Sequence, residues 1–103
     1  MPKFVFAYHG GDMPETEEEG QQVMAEWMAW FGGMGDAVIN PGNPVGLSKT
    51  VSASGVADGG GANPLSGFSV VQADTIEAAC EMANGCPIMD DGGSVEVAEV
   101  LEM

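Results

Sequence analysis

Gly67-Phe-Ser-Val-Val-Gln-Ala73, then Asp74 through Gly85, then Ser94-Val-Glu-Val-Ala-Glu-Val-Leu-Glu-Met103 is the stretch that decides the fold. It reads strand, helix, strand. The two flanking runs are rich in Val and Phe and too short for helices. Asp74 or Thr75 supplies an N-cap, because a short side-chain oxygen can accept a free N–H of the first turn. Glu77 stands three residues after Asp74, as in a capping box, and places an acid at the positive helix end. Ile76, Ala79, Cys80 and Ala83 recur at helical spacing and define one apolar face. Asn84-Gly85 is a C-cap signal, and Pro87 blocks continuation. A strand, a crossover helix and a second strand imply a helix packed on a sheet.

The N-terminal part supplies a matching unit. In Lys3-Phe-Val-Phe-Ala-Tyr8, Phe4, Phe6 and Tyr8 share one face, and Lys3, Val5, Ala7 and His9 share the other. Both faces are largely apolar, so the strand is expected to be covered on both sides. Gly10 and Gly11 end it. Pro14 to Gly33 reads as a helix with a Thr16/Glu19 capping box and four glutamates around its first turn. Val23, Met24, Trp27, Met28, Trp30, Phe31 and Met34 form an apolar stripe wider than one packing surface needs.

A short strand at Ala37-Val-Ile39 and a turn at Asn40-Pro-Gly-Asn-Pro44 follow. Residues 49–56 read as an edge strand or hairpin arm, and residues 58–67 as a glycine-rich connection. That loop lacks the lysine and following helix of a phosphate loop. The order β-α-β-(β)-β-α-β is an α+β, ferredoxin-like split βαβ pattern, with residues 1–103 as a single domain.

Composition narrows the partners. The 103 residues carry sixteen Asp and Glu against two lysines, for a net charge of −14. Nucleic acid is a poor partner for a chain with so few cations. No apolar run reaches the ~20 residues of a membrane span. Met1-Pro2-Lys3 leads into a strand without a signal-peptide pattern, so a cytoplasmic protein is expected. Cys80 is expected to be a buried thiol on the helix face. No disulfide with Cys86 is expected across the turn, and two cysteines with one histidine do not make a zinc set. No cofactor fingerprint occurs, and none is expected.

The stretch Gly67-Phe-Ser-Val-Val-Gln-Ala-Asp74, with Glu77-Ala-Ala-Cys-Glu-Met-Ala83, Cys86-Pro87, Gly92-Gly-Ser-Val-Glu-Val97 and Val100-Leu-Glu-Met103, resembles the C-terminal half of the YCII-related, DGPF-containing family. The resemblance covers about the last third of the chain. It implies a dimeric α+β barrel, in which two ferredoxin-like subunits join their sheets face to face. The family's Asp-Gly-Pro-Phe signature is matched only by Asp58-Gly59. Some members carry a histidine on the first helix, and this chain has none there. Only Asp58 carries over.

His9 is the single histidine and the first candidate acid/base, with Asp12 or Asp58 to orient it. Tyr8, Trp27 and Trp30 would line a sheet–helix cleft for a small apolar or aromatic ligand. Glu99 falls in the apolar phase of the last strand. Either a bulge shifts that phase, or Glu99 lies exposed at the strand end, or it points into an apolar environment, where a buried carboxylate would have a raised pKa and be a ligand-binding candidate. Three functions follow as expectations: a homodimeric protein binding a small molecule in that cleft, a cofactor-independent isomerase, lyase or oxygenase using His9 with a carboxylate, or a regulatory or structural interaction module.

Overall fold

A computed structural model describes residues 1–11 and 15–102. Asp12, the start of the first helix at Pro14, and Met103 lie outside the described residues. The elements are β1 (Lys3–His9), α1 (Glu17–Met34), β2 (Val38–Asn40), β3 (Lys49–Ser52), β4 (Gly55–Asp58), β5 (Leu65–Gln72), α2 (Ile76–Ala83) and β6 (Ser94–Glu99), with short 3-10 turns at Gly35–Ala37 and Pro87–Asp91. Four strands form one antiparallel sheet in the order β2-β5-β1-β6. Each helix thus carries the chain over a strand of the other unit, which is the split βαβ arrangement expected from the sequence. The other two strands, β3 and β4, pair with each other as a two-stranded ribbon inserted between β2 and β5.

Local chemistry sets the helix starts. Thr16 caps α1, its hydroxyl accepting from the Glu19 N–H at 3.1 Å, while the Glu19 carboxylate reaches back to the Glu15 N–H. In α2 the cap is Thr75, which accepts from the Ala78 N–H; Asp74 lies one residue outside. Each cap satisfies an N–H that has no partner within its helix.

The core lies between the sheet and both helices. Phe4, Phe6, Tyr8, Ser69 and Val71 point to this side and are buried, with Ala79, Ala83, Cys86 and Ile88 across from them. Trp27, Trp30 and Met34 of α1 and Val95 and Val97 of β6 close its margins. The other sheet face carries Val5, Ala7, Phe68 and Val70, all only half-buried. Within one chain, then, β1 is fully covered on one side only. No residue of α1 is fully buried, and Met24 and Met28 on its flank are exposed.

Two features of the helix α2 differ from the sequence expectation. Cys80 is exposed and Cys86 is the buried thiol; both are free. Ile76 is also exposed, while Ala78 and Met82 pack against the core. The reason is that α2 is apolar on both flanks of the Ala79–Ala83 line. The indole of Trp30 donates to the Met82 carbonyl at 3.0 Å and draws the helix over on that flank. Cys86 goes inward because it leads into the Pro87–Asp91 turn, whose Pro87 and Ile88 are themselves buried.

The connection after β2 is held close to β5 at Gly42. Its φ is +70°, and a Cβ there would run into the Phe68 carbonyl oxygen. Only glycine combines that dihedral with that approach.

Candidate functional site

The side chains with chemical potential collect at one end of the open sheet face, where β1 meets β6. Antiparallel register pairs Ala7 with Glu96 and His9 with Ser94. His9 and Glu96 therefore lie diagonally on the same face, within reach of long side chains. His9 Nε2 stands 3.0 Å from Glu96 Oε1. The imidazole is 11% exposed and the Glu96 side chain 66%, so the pair is anchored inside and open outside.

The other imidazole nitrogen faces the main chain. His9 Nδ1 lies 3.0 Å from the Asn63 carbonyl oxygen and 3.3 Å from that of Pro64. A carbonyl only accepts, so Nδ1 is the nitrogen that carries hydrogen. Two features bring these carbonyls there. The β1–β5 register slips between Tyr8 and His9, so that Tyr8 opposes Gly67 and His9 opposes Leu65. Ser66 is the extra residue, and its hydroxyl donates to the Gly10 carbonyl at 2.7 Å. A bulge of this kind re-aims the chain at a strand end.

With Nδ1–H directed at the main chain, Nε2 is the ring nitrogen turned to the Glu96 carboxylate. The arrangement can accept a hydroxyl or N–H group of a ligand, or pass a proton between ligand and carboxylate.

The residues expected from the sequence separate into three places. His9 is in the open-face pair. Asp58 is not beside it: it ends β4, is almost fully exposed, and accepts from Lys49 Nζ at 2.8 Å. Tyr8, Trp27 and Trp30 lie on the helix side of the sheet and pack on one another. Tyr8 and Trp27 meet edge-on with centroids 4.9 Å apart, Trp27 and Trp30 at 5.6 Å. The Tyr8 hydroxyl donates to Ser69 Oγ at 2.7 Å, and Ser69 Oγ donates to the Pro41 carbonyl at 2.6 Å. Burial pushes the Tyr8 hydroxyl well above its ordinary pKa, against the smaller pull of the Ser69 hydrogen bond.

Glu99 opposes Phe4 in an unbroken β6 register, so no bulge shifts the phase. It is exposed at the strand end and borders a depression of about 390 Å³ with Lys3 and Glu102. Glu96, the carboxylate that does meet His9, is the residue the sequence reading missed. Its signal was its place in Val95-Glu-Val97 two residues into the last strand, legible only once β1 and β6 are known to be neighbours in this register.

Cys86 is held by its surroundings as a neutral thiol. Burial pushes its pKa up to about 11; a backbone hydrogen bond from Ile88 opposes this, and the Asp90 charge adds to it. Among the described residues, no three His, Cys, Asp or Glu side chains converge as metal ligands. No described helix is long and apolar enough to cross a membrane. No protein-family model matches the chain, and no curated protein matches it.

Proposed function

We propose that the protein is a YCII-like homodimer that binds a small molecule against the open face of its sheet, with the His9–Glu96 pair as the polar end of the site. The observation that carries the reading is that pair: an imidazole fixed through Nδ1 to the main chain, its Nε2 turned to a carboxylate at 3.0 Å. The aromatic cluster of Tyr8, Trp27 and Trp30 fills its own space between sheet and helix, so the ligand reading moves from that cleft to the open face. The half-buried Val5, Ala7, Phe68 and Val70 beside the pair supply an apolar floor. A second sheet packed on this face would complete a cleft around it, as the family resemblance implies.

Since His9 is the chain's single histidine, its imidazole gives a single set of NMR signals that reports on the site. Screening mixtures of small carbonyl and hydroxy compounds against that signal tests the reading. The expected result is a compound that moves the His9 signal and binds about tenfold more weakly to the Glu96→Gln variant, the loss of one charge-assisted hydrogen bond. If every binder leaves His9 unmoved, or binds Glu96→Gln as well as the native protein, the site is elsewhere.

A second reading draws on the same pair. An imidazole nitrogen and a carboxylate 3.0 Å apart are the equipment for moving a proton on a bound ligand, as in a cofactor-independent isomerase or lyase. Its mark is exchange of a ligand C–H with solvent deuterium, lost in His9→Gln.

A further inference from the structure

The β3–β4 ribbon has no use in the site described above, and its surface is unusual. All eight residues of its two strands are exposed, on both faces. Val51 and Val56 sit opposite each other in the ladder and are 75% and 66% exposed; Leu47, just before the ribbon, is 97% exposed. Besides its backbone ladder, its side-chain hydrogen bonds are Lys49 to Asp58, Thr50 Oγ to the Gly59 carbonyl, and Ser52 with Ser54. A lone two-stranded ribbon is marginal in water and gains its stability from packing on something else.

The charge distribution says what that something is. Residues 37–73 contain one acid, Asp58, and one cation, Lys49. The remaining 66 residues hold the other fifteen acids and the other lysine, which is the entire net charge of −14. Where the surface carries those acids, a second copy of this chain would bring carboxylates against carboxylates; the ribbon, like Phe68 and Val70 on the open sheet face, belongs to the neutral stretch. Through the neutral ribbon it can approach without that repulsion. A cationic partner would be drawn to the acidic surface and away from the ribbon.

Area supports the same occupant. The chain exposes 7023 Å², whereas a compact monomer of this mass exposes about 5,500 Å². Its radius of gyration is 14.7 Å, against about 13 Å for a compact domain of this length. The surplus of roughly 1,500 Å² exceeds the ~800 Å² that each partner contributes to an interface of standard size.

We propose that the β3–β4 ribbon is a dimer arm, packing its Val51–Val56 face on a second copy of this chain. This deepens the homodimer reading above, from which it takes the second copy. It adds a contact that the joining of sheet faces does not require.

Sedimentation equilibrium on the native protein, Val51→Glu/Val56→Glu and Val70→Glu separates the two ideas, since Val70 lies on the open sheet face and the ribbon valines do not. The arm predicts a native dimer whose Kd rises at least about 100-fold in the ribbon variant, the loss of a central apolar contact. High salt should tighten the native dimer, because it screens the repulsion between copies. A ribbon variant that dimerises like the native protein overturns the arm. If Val70→Glu still dissociates, the sheet-to-sheet dimer survives without it. If only the ribbon variant dissociates, the arm stands and the sheet-to-sheet dimer fails. A native protein that stays monomeric at all concentrations overturns both. Intermolecular NOEs from the Val51 and Val56 methyls in a mixed-label native sample give the answer independently of any variant: their presence supports the arm, and their absence in a dimer removes it.

Discussion

Gly93→Ala tests the packing that holds His9 in place. Gly93 precedes β6 and lies under the corner where β1 ends. A Cβ at this position would stand 2.6 Å from Ile88 Cγ1, 2.7 Å from the His9 carbonyl oxygen and 3.0 Å from the Gly11 nitrogen. Non-bonded contacts of these kinds settle at about 3.5 Å. The Ile88 side chain would have to give by almost an ångström, the His9 carbonyl oxygen by nearly as much, and the Gly11 nitrogen by about half that. Ile88 is buried, and His9 is tied into the ladder opposite Ser94, so neither moves freely. Overpacking of this kind costs about 1–3 kcal/mol. The stiffer unfolded chain of the alanine variant returns about 0.5 kcal/mol. A net loss of about 1.5 kcal/mol lowers Tm by roughly 6–12 °C in a domain of this size.

Gly32→Ala is the comparison. Gly32 is in α1 with nothing within 4 Å of its added Cβ. Replacing a helical glycine by alanine there stabilises by about 0.5–1 kcal/mol. Calorimetry on both variants, with the His9 imidazole signal as a second reading, decides the matter. Gly93→Ala should melt lower and move the His9 signal; Gly32→Ala should melt higher and leave it in place. A Gly93→Ala protein that melts with the native one would refute the close packing of this corner. A lower Tm with an unmoved His9 signal would refute the claim that the corner positions the imidazole.

Two further predictions concern the core. Cys86 has its pKa raised from 9.0 to about 11 by burial, so it stays neutral in the folded protein where the unfolded chain has ionised it. Its contribution to stability is whole below about pH 9 and is lost as pH rises through about 11, on the order of 2 kcal/mol; Tyr8, also raised, adds a loss that begins above its ordinary value of 10.0. Urea midpoints under reducing conditions should fall more steeply with alkaline pH in the native protein than in Cys86→Ala, and parallel curves would show that Cys86 does not titrate differently on unfolding. Tyr8→Phe removes one bond of the Tyr8–Ser69–Pro41 chain and should cost about 1 kcal/mol, while Ser69→Ala removes two and should cost about twice as much. The double variant should fall short of the sum of the two, and strict additivity in urea unfolding would mean the hydroxyls are not linked.

The sequence was legible wherever a residue type had one physical use. Thr16 with Glu19 marks a helix start because the hydroxyl and the carboxylate each satisfy a different N–H, and α1 begins there. The alternation of Phe4, Phe6 and Tyr8 marks a strand face, and that face is buried. Legibility failed where two uses competed. In α2 both flanks are apolar, so spacing could not choose between Cys80 and Met82; the Trp30 indole, fifty-two residues away in sequence, makes the choice. The same holds for the site. His9 was visible as the single imidazole, but its partner depends on register between strands at opposite ends of the chain. Asp58 and Glu99 were plausible carboxylates by composition, and neither lies in that register position.

That dependence also explains why the His9–Glu96 pair is placed with so little local help. No motif surrounds either residue. Their meeting follows from three long-range facts: β1 pairs with β6, Ala7 sits opposite Glu96, and the Ser66 bulge brings the Asn63 and Pro64 carbonyls over the imidazole. The first two facts place the carboxylate, and the third fixes which nitrogen carries hydrogen. A bulge costs a ladder its regularity, and here the register slip falls at the end of β1 where His9 stands. If the bulge served only to end the strand, the imidazole would have no reason to point its Nδ1 at the same two carbonyls that the bulge displaces. The coincidence ties the irregular backbone to the chain's single imidazole, and it makes this corner, in preference to the aromatic cluster, the place to look for chemistry.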